Sequence, residues 1–360
     1  MLPLEGIKIL DLTNLLPGPF ATLIFSDLGA EVIKIEKPET GDYSRSIAGL
    51  FNSLNRGKKS VVLNLKTDTD KYKLLELIWE CDVLVESFRP GVMARLGFSK
   101  EIVLKENEKI IYCSISGYGQ DGPYKNMAGH DVNYLAVSGA LSISGEPNGH
   151  PGATGGIQVA DLGSSLYAAN SVLAALFQRH QTGKGTYIDV SMTDCSLALM
   201  SPRINEYYNR NKPSKKDFMS RGGYGAYQTK DQKYISIGCV EDHFWKRICH
   251  VLNLEDLYHE ERYNSWHKRM IHAEKINKIL QEKFLMKSCS EWIEILTQRD
   301  IPCSKVNFID DLADDPHFKH RNLIDKTKNN YIIRYPVKFD DFEVKTKRDI
   351  PALDEHNSLI

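Results

Sequence analysis

The first 115 residues alternate between short apolar runs and segments with helical spacing, and this alternation restricts the fold more than any other feature of the chain. Residues 7–12 are an apolar run suited to a buried strand, Pro17-Gly18-Pro19 interrupts the chain, and residues 20–28 have the spacing of a helix. The rhythm continues through residues 32–35, 60–65, 71–80, 83–86 and 110–115. Such an alternation predicts an α/β fold, with a Rossmann-like parallel sheet covered by helices.

The turn after the first predicted strand lacks the GxGxxG pattern of nicotinamide-dinucleotide sites. Those glycines let a pyrophosphate approach the start of the following helix, so a sheet without them has no such dinucleotide site. The sequence therefore argues against a nicotinamide-dependent oxidoreductase.

The remainder of the chain predicts a change of architecture. Residues 162–181 have the spacing of a long helix that ends at Thr182-Gly183-Lys184-Gly185, and residues 187–192 return as a strand. From Ser196 the sequence becomes polar, aromatic and basic. We expect a large α/β domain, a linker, a smaller α+β domain and a return linker, at residues 1–195, 196–224, 225–321 and 322–330 respectively.

Composition narrows the class of protein. A length of 360 residues suits two domains that each bury a core. Lys and Arg total 46 against 47 acidic residues, and the formal charge of -1 indicates neither nucleic acid nor an anionic membrane as a partner. The seven cysteines are an odd number without a CxxC pair, which predicts reduced thiols and no metal site. With no signal peptide and no apolar run of about 18 residues, we expect a cytoplasmic protein.

Two residues in the middle of the chain have the chemistry of an acid–base pair. His130 lies in Gly129-His130-Asp131, and Asp161 follows 31 residues later. A neutral imidazole and a desolvated carboxylate could act on opposite faces of one acidic carbon. Both residues also have structural interpretations, since a lone histidine is often a core or surface residue and Asp161 is well suited to cap a helix that begins at Leu162.

The segment GHDVNYLAVSG at residues 129–139 resembles the signature of α-methylacyl-CoA racemases, which belong to the class III CoA-transferase superfamily. Further segments resemble that superfamily in the same order along the first 195 residues, namely residues 4–38, 55–66, 86–98, 114–124 and 182–194. After residue 195 the similarity is weaker, although YISIGCVEDHFW at residues 234–245 and IPCSKV at residues 301–306 resemble the small-domain segments of the superfamily.

The resemblance implies an acyl-CoA enzyme that needs no cofactor besides the coenzyme A of its thioester substrate. His130 and Asp161 would each exchange the α-proton on one face, through a shared enolate. Glu241 matches the position whose carboxylate orients the catalytic histidine from the partner chain of an interlocked homodimer. The tail at residues 331–360 would complete the large domain. Alternatively, Glu241 and Asp242 are a solvated acidic pair at the start of a helix.

Coenzyme A carries phosphates and an adenine, so a cleft that binds it needs local cations. By family position, Arg56 and Lys66 resemble residues near the nucleotide end, Lys37 corresponds to an arginine over the adenine, and Arg89 lies beside the phosphates. Each is also an ordinary exposed cation by its residue type alone. Gly129, Asp131 and Tyr134 surround His130 in the signature, where Asp131 and Tyr134 could bind the pantetheine amides, although Tyr134 equally suits core packing.

A second enzyme class fits the same residues. In a class III CoA-transferase, the residue at Asp161 is a nucleophile that forms acyl-aspartyl anhydride and CoA-thioester intermediates. Transferases of this kind generally lack the histidine at position 130, and many have a GGGGQ-like lid where this chain has RGGYGAY at residues 221–227. Racemases tend to have GGAPFY-like sequence there, so the segment departs from both patterns. A CoA-binding protein without catalytic activity is a third possibility.

Overall fold

The computed structural model describes residues 1–152, 156–327 and 330–359. The chain forms two compact units. The large unit consists of Met1–Ser144, Gly152–Ile204 and Pro316–Ile360, and the small unit consists of Gly145–Pro151 and Asn205–Asp315.

The large unit is built on a parallel sheet, as the sequence predicts. Its strands are β1 (Lys8–Leu12), β2 (Glu31–Glu36), β3 (Lys59–Val62), β4 (Val83–Glu86), β5 (Ile111–Ser116) and β6 (Thr186–Ser191). Within the described residues they make a six-stranded sheet in the order β3-β2-β1-β4-β5-β6, and every pair is parallel. The small unit contains an antiparallel sheet of β7 (Tyr224–Gln228), β8 (Tyr234–Gly238) and β9 (Cys303–Lys305). The large unit also contains the antiparallel pair β10 (Ile324–Lys326) and β11 (Tyr331–Ile333).

Helices follow most of these strands. Along the first half of the chain they are α1 (Pro17–Asp27), α2 (Leu50–Asn55), α3 (Asp68–Glu80), α4 (Val92–Leu96), α5 (Lys100–Glu106), α6 (Asp131–Val137), α7 (Val159–Thr182) and α8 (Met192–Leu199). The second half contains α9 (Ser201–Asn209), α10 (Lys215–Met219), α11 (Asp242–Val251), α12 (Glu255–His259), α13 (Trp266–Ile271), α14 (Ala273–Phe284), α15 (Cys289–Gln298) and α16 (Pro316–Arg321). No helix among the described residues is both long enough and apolar enough to span a membrane.

Helices cover both faces of the sheet. Because successive strand residues point to opposite sides, neighbouring residues of one strand pack against different helices. In β1, Ile9 packs into a cluster with residues of α1 and α7, whereas Leu10 packs into a cluster with residues of α3 and α5. Both side chains are fully buried. This arrangement explains why apolar residues occur on both faces of a strand such as β1. The small unit has its own core around Trp245, Phe284 and Trp292.

Some predicted boundaries differ from the structure. The long helix begins at Val159, three residues before the predicted start, and it ends at Thr182. The segment 196–224, expected to be a linker, includes helices α9 and α10. The expected return linker at residues 322–330 includes β10, and its residues 328 and 329 lie outside the described part of the chain.

The tail contacts the outer strand of the large sheet. Ser60 on β3 accepts a hydrogen bond from the His356 backbone N–H at 2.9 Å, and the Val62 N–H donates to Asp354 at 3.1 Å. The Gly57 N–H, just before β3, donates to the Asp349 carbonyl at 2.7 Å. The tail therefore covers polar groups that an outer strand otherwise leaves unpaired.

The strand order creates a crevice between β1 and β4. The chain leaves these neighbouring strands toward opposite sides of the sheet, and in such folds ligands bind at the carboxyl ends of the strands at this point. The two loops that follow β1 and β4 meet there, since the Asn14 N–H donates to the Ser87 hydroxyl at 3.1 Å.

Candidate active site

A cavity of about 730 Å³ opens at this crevice in the large unit. It is lined by the loops that follow β1, β2, β3, β4 and β5, together with residues at the starts of α6 and α7. Its volume lies in the range of sites for sizeable organic ligands.

Seven of the ten site residues expected from the sequence line this cavity. They are Lys37, Lys66, Arg89, Gly129, His130, Tyr134 and Asp161. Arg56, Asp131 and Glu241 are not part of its lining. The signature segment and the start of the long helix therefore meet at one cavity, although they are about 30 residues apart.

Asp161 lies in the first turn of α7, with its side chain half-buried. The helix is preceded by Gln158 at the N-cap position, so the interpretation of Asp161 as that cap is wrong. No described residue donates a hydrogen bond to the Asp161 carboxylate. Burial, followed by the negative charge of Asp131, raises the pKa of Asp161 to about 7. The side chain can therefore exchange a proton near neutral pH, and its oxygens remain available to a ligand.

Asp131 caps the helix that carries Asp161. Its Oδ1 accepts the backbone N–H of Ala160 at 2.7 Å and that of Asp161 at 3.2 Å. Gln158 makes no side-chain cap hydrogen bond, so a residue of α6 provides this function for α7. These two N–H groups are occupied and are not available to stabilise an oxyanion.

His130 precedes α6, and its side chain lines the cavity. The His130 backbone N–H donates to the Asn133 side chain at 3.0 Å, which closes the first turn of the helix. The imidazole itself has no hydrogen-bond partner among the described residues. His130 and Asp161 thus face the same cavity, both with side chains that are free to contact a substrate.

Tyr134 supports the loop that carries His130. Its hydroxyl donates to the Gly129 carbonyl at 2.6 Å, and its ring packs edge-on against Tyr118. A Cβ added at Gly129 would lie 2.7 Å from the Tyr134 ring, so the close approach requires glycine. Burial raises the pKa of Tyr134 to about 12, and the hydroxyl stays a donor at neutral pH. Tyr134 is therefore both a packing residue and part of the cavity wall.

Basic side chains line the cavity without acidic partners among the described residues. Lys37 lies over the ring of Tyr43, with its Nζ 3.8 Å from the ring centroid, and Lys66 follows β3. Arg89 follows β4, and Lys125 follows β5. Lys125 is not among the residues expected from the sequence, because it lies directly after the family-like segment 114–124 and by its residue type alone is an ordinary lysine. The strand order places two of these cations on each side of β1.

Arg56 is used within the fold. It is buried and forms a two-pronged ion pair with Asp27, in which Nη2 lies 2.7 Å from Oδ2. Its guanidinium also donates to the Ile333 carbonyl at 3.2 Å. Burying a guanidinium requires such pairing, and here the pairing directs the side chain away from the cavity.

Glu241 lies in the small unit, where it occupies the N-cap position of α11. It makes no side-chain cap hydrogen bond, and its exposed carboxylate has no partner in the described residues. The adjacent Asp242 pairs with Arg269, with 2.9 Å between Oδ1 and Nη1. The two acids therefore have different environments, and Glu241 remains available to another group.

A buried network of charges holds the loop after β1 against the cavity. Lys34 donates to the Thr13 carbonyl at 2.8 Å and pairs with Asp42 at 2.9 Å. Asp42 accepts the N–H of Leu15 at 3.0 Å, and Leu15 has a φ of 64°, which is costly for a residue with a Cβ. Charged residues inside an otherwise apolar predicted strand, such as Lys34, are the sequence signal for this network.

Comparison with known proteins is consistent with this geometry. A model of CoA-transferase family III matches residues 4–357. Human succinyl-CoA:glutarate CoA-transferase is 35% identical, over 99% of this chain and 85% of that protein. The acetyl-CoA:oxalate CoA-transferase of Acetobacter aceti is 33% identical, over 99% of this chain and 95% of its own length. Human alpha-methylacyl-CoA racemase is 32% identical, over 88% of this chain and 81% of its own length. A crystal structure of the hypothetical protein Rv3272 from Mycobacterium tuberculosis superimposes with a TM-score of 0.88 and 30% identity, over 100% of this chain and 99% of that one.

Proposed function

The chain belongs to CoA-transferase family III, and from that premise we propose that it moves coenzyme A between an acyl-CoA and a free carboxylic acid. The observation that carries this proposal is Asp161. Its carboxylate lines the cavity at a helix start, and no described residue occupies it with a hydrogen bond. A free carboxylate in a desolvated cavity is suited to act as a nucleophile.

The reaction divides into balanced transfers at Asp161. The carboxylate attacks the thioester carbonyl and expels the CoA thiolate, which leaves an acyl-aspartyl anhydride. The thiolate then attacks the side-chain carbonyl carbon of Asp161, which releases the donor acid and forms an aspartyl CoA-thioester. The acceptor carboxylate attacks this thioester and expels the CoA thiolate, which leaves a second anhydride. The thiolate then attacks the acceptor carbonyl of that anhydride and releases the Asp161 carboxylate. The products are the new acyl-CoA and the original Asp161 carboxylate.

The cations of the cavity would bind the charged ends of the substrates. The side of β1 with Lys37 and Lys66 offers a stacking surface on Tyr43 and two positive charges, which suit an adenine and phosphates. Arg89 and Lys125 lie beyond β1, on the side of β5. Two transferases similar to this chain are named for glutarate and oxalate, so dicarboxylic acids are the acceptors to test first.

Epimerisation at the α-carbon of a 2-methylacyl-CoA is the second candidate. It is favoured by His130, whose imidazole lines the same cavity as Asp161 and has no partner in the described residues. In that reaction the two side chains would exchange the α-proton on opposite faces, with Glu241 of the partner chain orienting the imidazole. Transferases match this chain over a larger fraction of its length than the human racemase does, which favours transfer.

Assembly into an interlocked homodimer is part of the proposal. Helix α7 exposes Leu166, Tyr167 and Phe177, with 51%, 41% and 68% of each residue accessible. Leu166 and Phe177 are 11 residues apart, about three helical turns, so they lie on one face. A second copy of the chain would cover this apolar face and would bring Glu241 to the cavity of its partner.

Isotope and trapping experiments distinguish the two reactions. The protein is incubated with an acyl-CoA and a free acid, and formation of the second acyl-CoA is followed by mass spectrometry. Hydroxylamine should convert an acylated Asp161 to a hydroxamate that peptide mass identifies. A parallel incubation with a chiral 2-methylacyl-CoA in deuterated water contains no acceptor acid. Deuterium uptake at the α-carbon without acyl transfer or hydroxamate would overturn the transferase proposal in favour of epimerisation.

A further inference from the structure

Asp131 connects the two candidate catalytic residues. It is the first residue of α6 and follows His130 directly, while its carboxylate holds the first turn of the helix that carries Asp161. Its own helix does not need this carboxylate, because Asn133 closes that first turn. We propose that Asp131 is a positioning residue that fixes Asp161 relative to His130 and keeps a negative charge beside the Asp161 carboxylate.

The positional part of the proposal rests on hydrogen bonds. Asp131 Oδ1 accepts N–H groups from two successive residues, Ala160 at 2.7 Å and Asp161 at 3.2 Å. Because one of these is the N–H of Asp161 itself, the backbone of the nucleophile is tied to α6. Gln158 supplies no alternative side-chain cap, so this restraint depends on Asp131.

The electrostatic part follows from the same contacts. The start of a helix ordinarily stabilises an anion and lowers the pKa of a carboxyl group there. In this chain Asp131 occupies two of the helix N–H groups and adds a like charge, so the usual effect is opposed. Burial together with Asp131 raises the pKa of Asp161 to about 7.

Other titratable groups lie on the elements around Asp161. His130 and Tyr134 lie around α6, Arg89 follows β4, Tyr118 and Lys125 follow β5, and Asp194 and Cys195 lie on α8, which packs against α7. Within the described residues, Asp131 is the charged group whose contacts reach the Asp161 backbone.

If Asp161 is the nucleophile of the proposed function, the charge of Asp131 also affects acyl transfer. Asp161 is negatively charged before it attacks the thioester and neutral once it carries an acyl group. Repulsion by Asp131 therefore acts on the free carboxylate and disappears in the anhydride. Asp131 should shift the balance toward the acylated enzyme, since an interaction that differs between two states changes their ratio.

Two substitutions separate position from charge. Asp131→Asn keeps an oxygen that can accept the Ala160 and Asp161 N–H groups but removes the charge, whereas Asp131→Ala removes both. Asp194→Asn is the matched control, because Asp194 lies in the first turn of the neighbouring helix α8. Each protein is checked for folding by circular dichroism and thermal unfolding, in which Asp131→Asn should resemble the wild type.

The direct measurement is the titration of Asp161 in the free protein, by NMR of 13C-carboxyl aspartate, with Asp161→Asn used to assign the signal. Asp131→Asn should move the titration below that of the wild type by about half a pH unit or more, which is about a threefold change in the ratio of ionised to protonated carboxyl. The control should leave it in place. An unchanged Asp161 titration in Asp131→Asn, or an equal shift in Asp194→Asn, would overturn the electrostatic role.

A second measurement tests the consequence for transfer. At one donor concentration, Asp131→Asn should accumulate about threefold less hydroxylamine-trapped Asp161 than the wild type, and its kcat/KM should have its acid limb at lower pH. A shifted titration without any trapped Asp161 in the wild type would leave the role of Asp131 intact and reject acyl transfer. If Asp131→Ala kept the thermal stability and the activity of Asp131→Asn, the positional role would be wrong.

Discussion

Lys34 and Asp42 form an ion pair of 2.9 Å in which both side chains are fully buried. Burial alone would lower the pKa of Lys34, but the charges of Asp11 and Asp42 outweigh it, and the pKa lies above its ordinary value. Through the hydrogen bonds from Lys34 to the Thr13 carbonyl and from Leu15 to Asp42, this pair determines the shape of the loop after β1. The cavity wall formed by the loop after β1 therefore depends on a buried ion pair.

Lys34→Met should destabilise the protein strongly, because it removes the ion-pair partner of the buried Asp42 carboxylate, whereas Asp11 keeps its pair with Lys58. Breaking one partner of a buried pair costs about 3 to 5 kcal/mol of unfolding free energy. Lys59→Met is the matched control, since its pair with Glu31 has both side chains more than a third exposed and should contribute about 1 kcal/mol or less. Urea unfolding measures both, and equal losses would contradict the role of the buried pair.

Glu86 gives the large unit a stability that depends on pH. Burial raises the pKa of Glu86 to about 7, although Ser114 and the Phe88 N–H donate hydrogen bonds to its carboxyl group. Below the ordinary value of 4.5, the group is protonated in both the folded and the unfolded chain. As pH rises from there to about 7, the unfolded chain loses the proton first, so this group's contribution to stability falls.

Glu86→Gln should therefore be more stable than the wild type at pH 8, by on the order of 2 to 3 kcal/mol, and the advantage should shrink as pH falls toward 5. The amide resembles the protonated acid, since it can donate to Ser114 and accept the Phe88 N–H. Urea unfolding at several pH values tests this, with the exposed Glu76→Gln as control. An advantage that is the same at pH 5 and pH 8 would reject the buried-acid explanation.

The parallel sheet was predictable because its signal is local. A strand buried on both faces, such as β1 or β4, is a short segment rich in apolar residues on both faces, and this signal lies in neighbouring residues. The motif around His130 likewise identified a segment that lines the cavity. The alternative interpretation of Asp161 as a helix cap is wrong, because the carboxylate that binds the first-turn N–H groups is that of Asp131, which lies on another helix and is 30 residues distant in sequence.

Arg56 illustrates the same limit. Nothing near residue 56 indicates that its guanidinium pairs with Asp27, 29 residues earlier, and the family position suggested the nucleotide end of a cleft. Long-range pairing of a buried charge depends on the packed arrangement of strands and helices. The spacing of residues near Arg56 does not indicate this long-range pairing, whereas the periodicity of a helix or strand can be read from neighbouring residues.

Binding of acyl-CoA should depend on the unpaired cations of the cavity. Lys66→Ala or Arg89→Ala should each weaken affinity by about 10-fold to 150-fold, because a charge-assisted contact contributes about 1.5 to 3 kcal/mol. Lys105→Ala, an exposed lysine on α5 outside the cavity, is the control. Calorimetry at low salt measures the affinities. If neither cavity variant differed from the control, the nucleotide would bind elsewhere.

The apolar face of α7 should be an interface between two copies of the chain. Sedimentation of the wild type should give a dimer at assay concentration, and Leu166→Arg should shift it toward monomer because a charge replaces apolar contact area. Tyr72→Arg, at an exposed position on α3, should leave the dimer intact. A wild-type protein that is active as a monomer would contradict both the dimer and the contribution of Glu241 to its partner's cavity.

Acyl transfer should not require His130, whereas epimerisation should. If Asp161 is the nucleophile, Asp161→Asn should reduce acyl transfer to below about one-thousandth of the wild-type rate, since the amide cannot form the anhydride. His130→Ala should keep transfer and should still give trapped Asp161. Asp161→Asn retains a polar side chain in the first turn of α7, and its thermal unfolding shows whether lost activity reflects lost structure.

In an epimerase, His130→Ala would abolish conversion between the enantiomers, while the Asp161 carboxylate could still exchange deuterium on its own face. Asp161→Ala would then leave exchange by His130 on the other face. The pair of variants would therefore prefer opposite enantiomers of a 2-methylacyl-CoA, a pattern that a single nucleophile cannot produce. Measuring α-deuterium uptake from each enantiomer with each variant checks this directly. Opposite preferences, together with no second acyl-CoA from any added acid, would assign epimerisation to this cavity, whereas transfer that survives in His130→Ala assigns it to Asp161.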